Sequence, residues 1–293
     1  MKNQKTKAFC FVILAGVLWG TSGIFVKLLA PYGLSTMTMT ALRGLISFLC
    51  MAIYALARDP RLFRVRGLDL LLVAGSGIAF FGTGSCYFLA MQMTSVSTAV
   101  VLMYTAPILV MVVSVLFFGE KLTRLKVVSV VCMLVGCCLV AGIIGGMAWN
   151  PIGILIGFGS GLSYAGYNIL TKLQMKRGIH PITAVLYCFF FMMLCALPFA
   201  KPSTVVSAIG QAPIRASVLI LGLGICTSTL PYFFYTGAMK ELPAGTTSAL
   251  AIVEPMSATV FSVLLFHEHL SIPATVGIVL ILLAVFLLSR TKE

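Results

Sequence analysis

The sequence predicts an all-α polytopic membrane protein of ten transmembrane helices, arranged as two inverted five-helix repeats. Three observations carry this. Of its 293 residues, 60% are apolar and 9% are charged, with a mean hydropathy of +1.10. A water-soluble domain carries about 25% charged residues to keep its surface wet. The apolar residues gather into ten runs, each near the roughly 20 residues that cross a hydrocarbon core about 30 Å thick. The second half of the chain also repeats the first.

The runs fall at about 8–29, 36–57, 69–91, 95–118, 125–146, 150–172, 181–200, 214–238, 244–266 and 272–289. Lys2, Lys5 and Lys7 before the first run give it the look of a signal peptide. The run continues to Leu29 without a small-x-small cleavage site, so it reads as an uncleaved first span. The connections are short, which makes neighbouring spans antiparallel hairpins and leaves no room for an extramembrane domain.

Basic residues set the orientation. With the N-terminus inside, the inner segments hold sixteen Lys and Arg, from Lys2 through Arg58, Arg61, Arg64, Arg66, Lys121, Lys126 and Lys172 to Lys292. The outer side holds three: Lys27, Lys201 and Arg215. That asymmetry predicts cytoplasmic termini. The amphipathic segment Ser203–Gln211 then lies outside, along the interface. The net charge of +13 sits in these short loops without a basic stripe, which excludes nucleic acid as a partner. Nine cysteines lie within apolar runs and form no CxxC pair, so they read as small hydrophobes and imply no metal or redox centre.

Shifted by 148, Tyr87–Leu122 aligns without gaps on Tyr235–Leu270, with 13 of 36 positions identical. The matches include Tyr87/Tyr235, Thr98/Thr246, Pro107/Pro255 and Glu120/Glu268. A slightly different shift pairs Trp19 with Tyr164 and Lys27 with Lys172. The halves are therefore 1–146 and 150–293. Five spans each is an odd number, so the second half enters the membrane upside-down. Inverted repeats are an architecture of secondary transporters, with the site near the midplane between them.

Leu18-Trp19-Gly20, Ala41-Leu42-Arg43-Gly44, Tyr104-Thr105-Ala106-Pro107, Gly119-Glu120-Lys121-Leu122-Thr123, Glu254-Pro255 and His267-Glu268-His269-Leu270-Ser271 together carry a family resemblance. The chain resembles the ten-helix EamA-type branch of the drug/metabolite transporter superfamily over essentially its whole length. The resemblance implies a metabolite carrier, most often an exporter, in the bacterial inner membrane. Its substrates range over amino acids, amines, sugars and nucleotide derivatives.

Arg43 and Glu254 are the charged residues placed well inside the hydrocarbon zone, where a charge costs about 2.5–3.5 kcal/mol on insertion scales and usually faces a cavity or a partner. Glu254 reads either as a structural carboxylate, hydrogen-bonded or paired with Arg43, or as the group that recognises a cation or couples protons. Its counterpart in the first half is Ala106. Arg43 reads as a snorkelling or packing side chain, or as the partner of an anionic substrate group. Pro107 and Pro255 sit mid-span at matching positions and predict kinks that serve as hinges. Tyr164, Tyr167, Asn168 and Thr171 share one side of span 6, and Ser228, Tyr232 and Tyr235 one side of span 8. Trp19 and Tyr87 match two of these through the repeat. Single tyrosines often belong to interfacial belts, but this many in mid-span predict a semi-polar pocket for a planar ring or an ammonium group. GxxxG pairs at Gly16/Gly20, Gly153/Gly157 and Gly157/Gly161 predict close helix contact. His267-Glu268-His269 reads as a helix-turn-helix corner, since the repeat keeps Glu120 and drops both histidines; zinc is the rival reading. Thr123 and Ser271 follow as helix caps.

These features predict a secondary active transporter for a small organic metabolite, an amino acid or related compound and by resemblance an export substrate, working by alternating access in a lipid bilayer with protons as the candidate coupling ion. Import of a quaternary ammonium compound such as choline is the alternative. No Walker A loop or nucleotide fingerprint occurs, and no cofactor is implied. An intramembrane enzyme would need a mid-membrane nucleophile and base, and a channel would need repeated filter motifs.

Overall fold

Hydrocarbon offers the backbone no hydrogen-bond partner, so each apolar run must satisfy its own peptide groups as helix. The computed structural model describes residues 2–141, 150–266 and 271–289, and its regular structure is helical throughout. Span 1 is α1 (Lys2–Gly20) and α2 (Ser22–Leu29); span 2 is α3 (Thr36–Arg58); span 3 is α4 (Leu68–Met93). Span 4 is α5 (Val96–Met103) and α6 (Ala106–Phe118), and span 5 is α7 (Arg124–Val140). Span 6 is α8 (Pro151–Lys176) and span 7 is α9 (Pro181–Ala196), followed by the short helix α10 (Pro202–Gln211). Span 8 is α11 (Pro213–Gly224), a π-helical turn over Ile225–Thr229, and α12 (Leu230–Ala238). Span 9 is α13 (Ala244–Leu250) and α14 (Val253–Phe266), and span 10 is α15 (Ile272–Ser289).

Seven of these spans are long and apolar enough to cross a membrane on composition alone. Span 6 is long enough but more polar, because it buries Asn168, Thr171, Lys172 and Gln174. Helix starts follow local chemistry: Ser35, Ser95, Thr123, Asn150 and Ser271 each accept a backbone N–H from the first turn they precede. Gly119, at φ +67, ends α6 in the left-handed conformation that favours glycine.

Spans pack in pairs across the two halves. Span 3 lies against span 6, and span 1 against spans 8 and 9. Span 4 lies against span 6, span 2 against span 7, and span 5 against span 10. The predicted glycine contacts are where backbones meet. A Cβ on Gly161 would stand 2.7 Å from the Leu102 carbonyl oxygen, and one on Gly20 2.8 Å from the Ala258 nitrogen.

Two expectations are corrected. Spans 1, 4, 8 and 9 are broken rather than continuous or smoothly kinked. Lys126 and Lys172, assigned to inner loops, are buried. Lys126 Nζ donates to Glu120 Oε2 at 3.2 Å, and Glu120 Oε1 accepts the Ala244 N–H at 2.8 Å. Lys172 Nζ donates to the Met239 and Leu242 carbonyls at 2.7 and 2.6 Å. A helix C-terminus presents unpaired carbonyls that hold a cation. The His267-Glu268-His269 corner, Arg290 and Lys292 lie outside the described residues.

Candidate functional site

The breaks in spans 4 and 9 lie at matching positions, after Met103 and after Leu250, and the helices on either side pack together, α6 against α13. Pro107 and Pro255 each fall in the first turn of the second helix, where a missing N–H leaves no bond unmade. Between these breaks Tyr104 donates its hydroxyl hydrogen to Glu254 Oε2 at 2.9 Å. Tyr104 is buried and Glu254 half-buried, so the carboxylate is turned into the protein and away from lipid. α1 closes one side of this site, because Gly16 lets it approach within 3.4 Å of the Glu254 backbone nitrogen, measured from where a Cβ would stand.

Beside the carboxylate stands a buried aromatic cluster. Trp19 packs on Tyr232 and Tyr235, with ring centroids 4.8 and 5.1 Å apart. Tyr167 stacks on Tyr164 at 6.2 Å and meets Tyr232 edge-on at 5.8 Å. Phe80 and Phe189 complete it, 4.8 and 5.2 Å from Tyr232. Asn168 threads it together: its side-chain amide donates to the Tyr164 carbonyl at 2.7 Å, and its Oδ1 accepts the Tyr235 hydroxyl. The Trp19 indole N–H is buried without a protein partner among the described residues. A buried donor left unmade costs about 1–3 kcal/mol, so an acceptor brought by a ligand would be favoured there.

Arg43 neither snorkels nor pairs with Glu254. Its Nε donates to Ser228 Oγ at 2.7 Å and an Nη to the Thr227 carbonyl at 3.2 Å. The π turn of span 8 exposes that carbonyl, and Ser47, one turn along α3, binds Thr229 Oγ1 at 3.0 Å. Insertions of this kind recur at functional sites. Arg43 remains within electrostatic reach of Glu254 and Tyr232. Tyr87 stands apart from the aromatic cluster, edge-on to Phe88 at 5.5 Å.

Of the residues singled out from sequence, Trp19, Tyr164, Tyr167, Asn168, Tyr232 and Tyr235 thus converge. Glu254, Pro107 and Pro255 mark the facing breaks, while Arg43 and Tyr87 are peripheral. Phe80 and Phe189 were not among them, and Tyr104 entered only through the Tyr104-Thr105-Ala106-Pro107 motif, not as a candidate site residue. No group of three His, Cys, Asp or Glu side chains able to hold a metal ion converges among the described residues.

Known proteins match along the whole chain. The EamA-like transporter family profile fits residues 6–142 and again 151–290. An uncharacterized transporter of Archaeoglobus fulgidus is 27% identical over 95% of each chain. The pseudopaline exporter CntI of Pseudomonas aeruginosa is 25% identical over 83% of each. A solved crystal structure superposes with a TM-score of 0.80 over 96% of both chains at 20% identity, which establishes the fold.

Proposed function

Because the chain belongs to the EamA-like transporter family, we propose that this multi-pass membrane protein is a secondary active transporter exporting a zwitterionic metabolite, an amino acid or a related compound, across the bacterial inner membrane. The observation that carries the reading is the Tyr104–Glu254 pair, held between two facing helix breaks beside the Trp19 cluster. A carboxylate there recognises an ammonium group, and the unpartnered Trp19 N–H and nearby Arg43 favour a substrate that also brings an acceptor. Substrate would contact Trp19, Tyr164, Tyr167, Asn168, Tyr232, Tyr235 and Glu254, with Tyr87 at the margin.

Alternating access between inverted halves, 1–146 and 150–293, is the mechanism proposed. Support comes from the span contacts, which are preserved when the halves are exchanged: 3 with 6 becomes 8 with 1, and 4 with 6 becomes 9 with 1. The aromatic cluster is closed, so loading requires the halves to rock. Fourteen basic residues remain on the predicted inner side once buried Lys126 and Lys172 are set aside, against three outside, which supports cytoplasmic termini. The resemblance to a relative named as a pseudopaline exporter, CntI, supports export as the direction.

The aromatic cluster with one carboxylate also favours a quaternary ammonium substrate. Counterflow in proteoliposomes separates the two. Amino-acid zwitterions should exchange and quaternary ammonium compounds should not; exchange of the latter alone would reverse the assignment.

A further inference from the structure

Away from the membrane-spanning site, a cleft of about 230 Å³ opens between the turn after span 2 and the corner joining α8 to α9. Arg61, Arg64, Arg177 and His180 line it, with Asp69 as the one acidic group in its wall. We propose that this cleft binds a phosphate-bearing anion, either a free phosphomonoester or the phosphate of a lipid headgroup.

Charge supports this first. Arg177 Nε is paired with Asp69 Oδ1 at 2.5 Å, which leaves Arg61 and Arg64 to face a ligand. Three guanidinium groups against one carboxylate match a phosphate dianion, and guanidinium forks bind phosphate oxygens in pairs.

Construction supports it second. An orientation signal needs only basic residues in a loop, whereas these are mounted on a fixed turn. Asp59 Oδ1 accepts the Arg61 N–H at 2.9 Å and closes a 3₁₀ turn over Pro60–Phe63. Thr183 Oγ1 then donates to the Leu62 carbonyl at 2.8 Å, and the Tyr187 hydroxyl to the Phe63 carbonyl at 2.7 Å. The turn is thereby strapped to α9 at two successive residues. Across the cleft, Gly178 at φ +80 folds the chain back after α8 and sets Arg177 and His180 on the opposite wall.

His180 adds a neutral donor. Its Nδ1 accepts the Ile182 N–H at 3.3 Å, so the neutral ring carries its proton on Nε2. Partial burial and the nearby Lys240 hold its pKa below the usual histidine range, against the opposing pull of Asp59. A phosphate therefore meets an N–H there at neutral pH.

The test uses the detergent-purified full chain and two probes, glycerol 3-phosphate and dioleoyl phosphatidic acid in mixed micelles, each read by thermal unfolding. At least one should raise the midpoint in a saturable way; a shift with the lipid alone assigns the source to headgroups, and one with glycerol 3-phosphate assigns it to a soluble phosphomonoester. Replacing both exposed arginines, Arg61→Gln with Arg64→Gln, should weaken the binding probe at least tenfold. Arg66→Gln removes a charge from the same loop outside the cleft lining and should leave affinity within twofold. A wild-type measurement needs no variant: phenylglyoxal labelling of Arg61 and Arg64, read by mass spectrometry, should fall with the binding probe present while Arg66 labelling holds. No shift with either probe, or equal weakening by Arg66→Gln, overturns the proposal and returns these arginines to orientation alone. Unequal protection confined to Arg66 would overturn it as well.

Discussion

Spans 4 and 9 share a backbone plan and differ in chemistry. Both break within the span, both restart with a proline in the first turn, and both receive a glycine of a neighbouring span at the break. Gly161 of α8 sits on Leu102 and Thr105, as Gly16 of α1 sits on Val253 and Glu254. Yet the repeat aligns Glu254 with Ala106, and Tyr104 with Ile252. Packing at a break requires a small residue opposite exposed carbonyls, so both copies keep it. A second carboxylate would add another desolvated like charge at the same interface, and Ala106, fully buried, leaves no room for one. Under the proposed alternating access, duplicated architecture with single-copy chemistry would give one charge that either side of the membrane reaches in turn.

The largest effect should come from removing that single charge. Glu254→Gln keeps shape and hydrogen bonding but cannot ionise. If Glu254 recognises the ammonium group, binding should be lost in a purified-protein assay, most severely for cationic substrates. If it couples protons, proton-driven accumulation should vanish while substrate counterflow survives. Normal transport by Glu254→Gln, with only Glu254→Leu failing to fold, would make the residue structural and cancel the contrast with Ala106. Tyr104→Phe should act in the same direction and less strongly, because a hydrogen bond to a charged group contributes about 1.5–3 kcal/mol. Weaker binding by roughly tenfold or more is expected, with insertion unchanged. Equal affinity in Tyr104→Phe would detach the first-half break from the site.

The sequence made much of this legible, for identifiable reasons. Ten spans stood out because hydrocarbon demands long apolar runs, and α5–α6 and α13–α14 could be paired because the repeat preserved Pro107 and Pro255. Trp19, Tyr164 and Tyr232 stood out because polar-tipped rings are conspicuous among aliphatics. Phe80 and Phe189 did not, since an apolar ring in a span looks the same whether it faces lipid or the cluster. Tyr104 escaped because the repeat offers Ile252 in its place, so symmetry gave no pointer to it. Lys172 escaped because a lysine near a span end reads as a loop charge; only the carbonyls of Met239 and Leu242, brought up by span 8, show why it is buried. The break at Thr21 lies between Gly20 and Ser22-Gly23, and the π turn at 225–229 between Gly224 and Pro231, but glycines and prolines are common in membrane helices and did not by themselves mark a break.

The glycines test whether the two breaks are packed alike. A Cβ on Gly161 would stand 2.5 Å from Thr105 Oγ1 and 2.7 Å from the Leu102 carbonyl, whereas one on Gly16 would lie 3.0 Å from Val253 Cβ. Overpacking of this kind costs about 1–3 kcal/mol. Gly161→Ala should therefore destabilise the purified protein toward the upper part of that range, and Gly16→Ala toward the lower. Gly23→Ala, with nothing within 4 Å of the new methyl, serves as control, and should be neutral or stabilising by up to about 1 kcal/mol through helix propensity. A larger loss at Gly16 than at Gly161 would mean that span 9, and not span 4, is the more tightly seated break.

The smallest effect on stability is expected at the prolines. In a helix interior proline removes a hydrogen bond and clashes with the preceding turn, at about 3 kcal/mol. Pro107 and Pro255 escape both costs, since the first N–H groups of a helix have no intrahelical acceptor. Pro107→Ala and Pro255→Ala should accordingly shift unfolding by only about 1 kcal/mol or less, the lost ring packing, greater at buried Pro107 than at half-buried Pro255, being offset in part by the helix propensity of alanine. Their consequence lies in the break itself. Alanine permits the helix to run through residues 104–105 or 251–252, and a continuous helix would pull Tyr104 and Glu254 out of register. Transport should fall in both variants while the melting midpoint holds, and it should fall further in Pro255→Ala, whose neighbour is the carboxylate. Equal loss in the two would place the hinge in the shared backbone plan and not in the charged copy. Unchanged transport in both would show that packing on Gly161 and Gly16, without the prolines, is what keeps the spans broken.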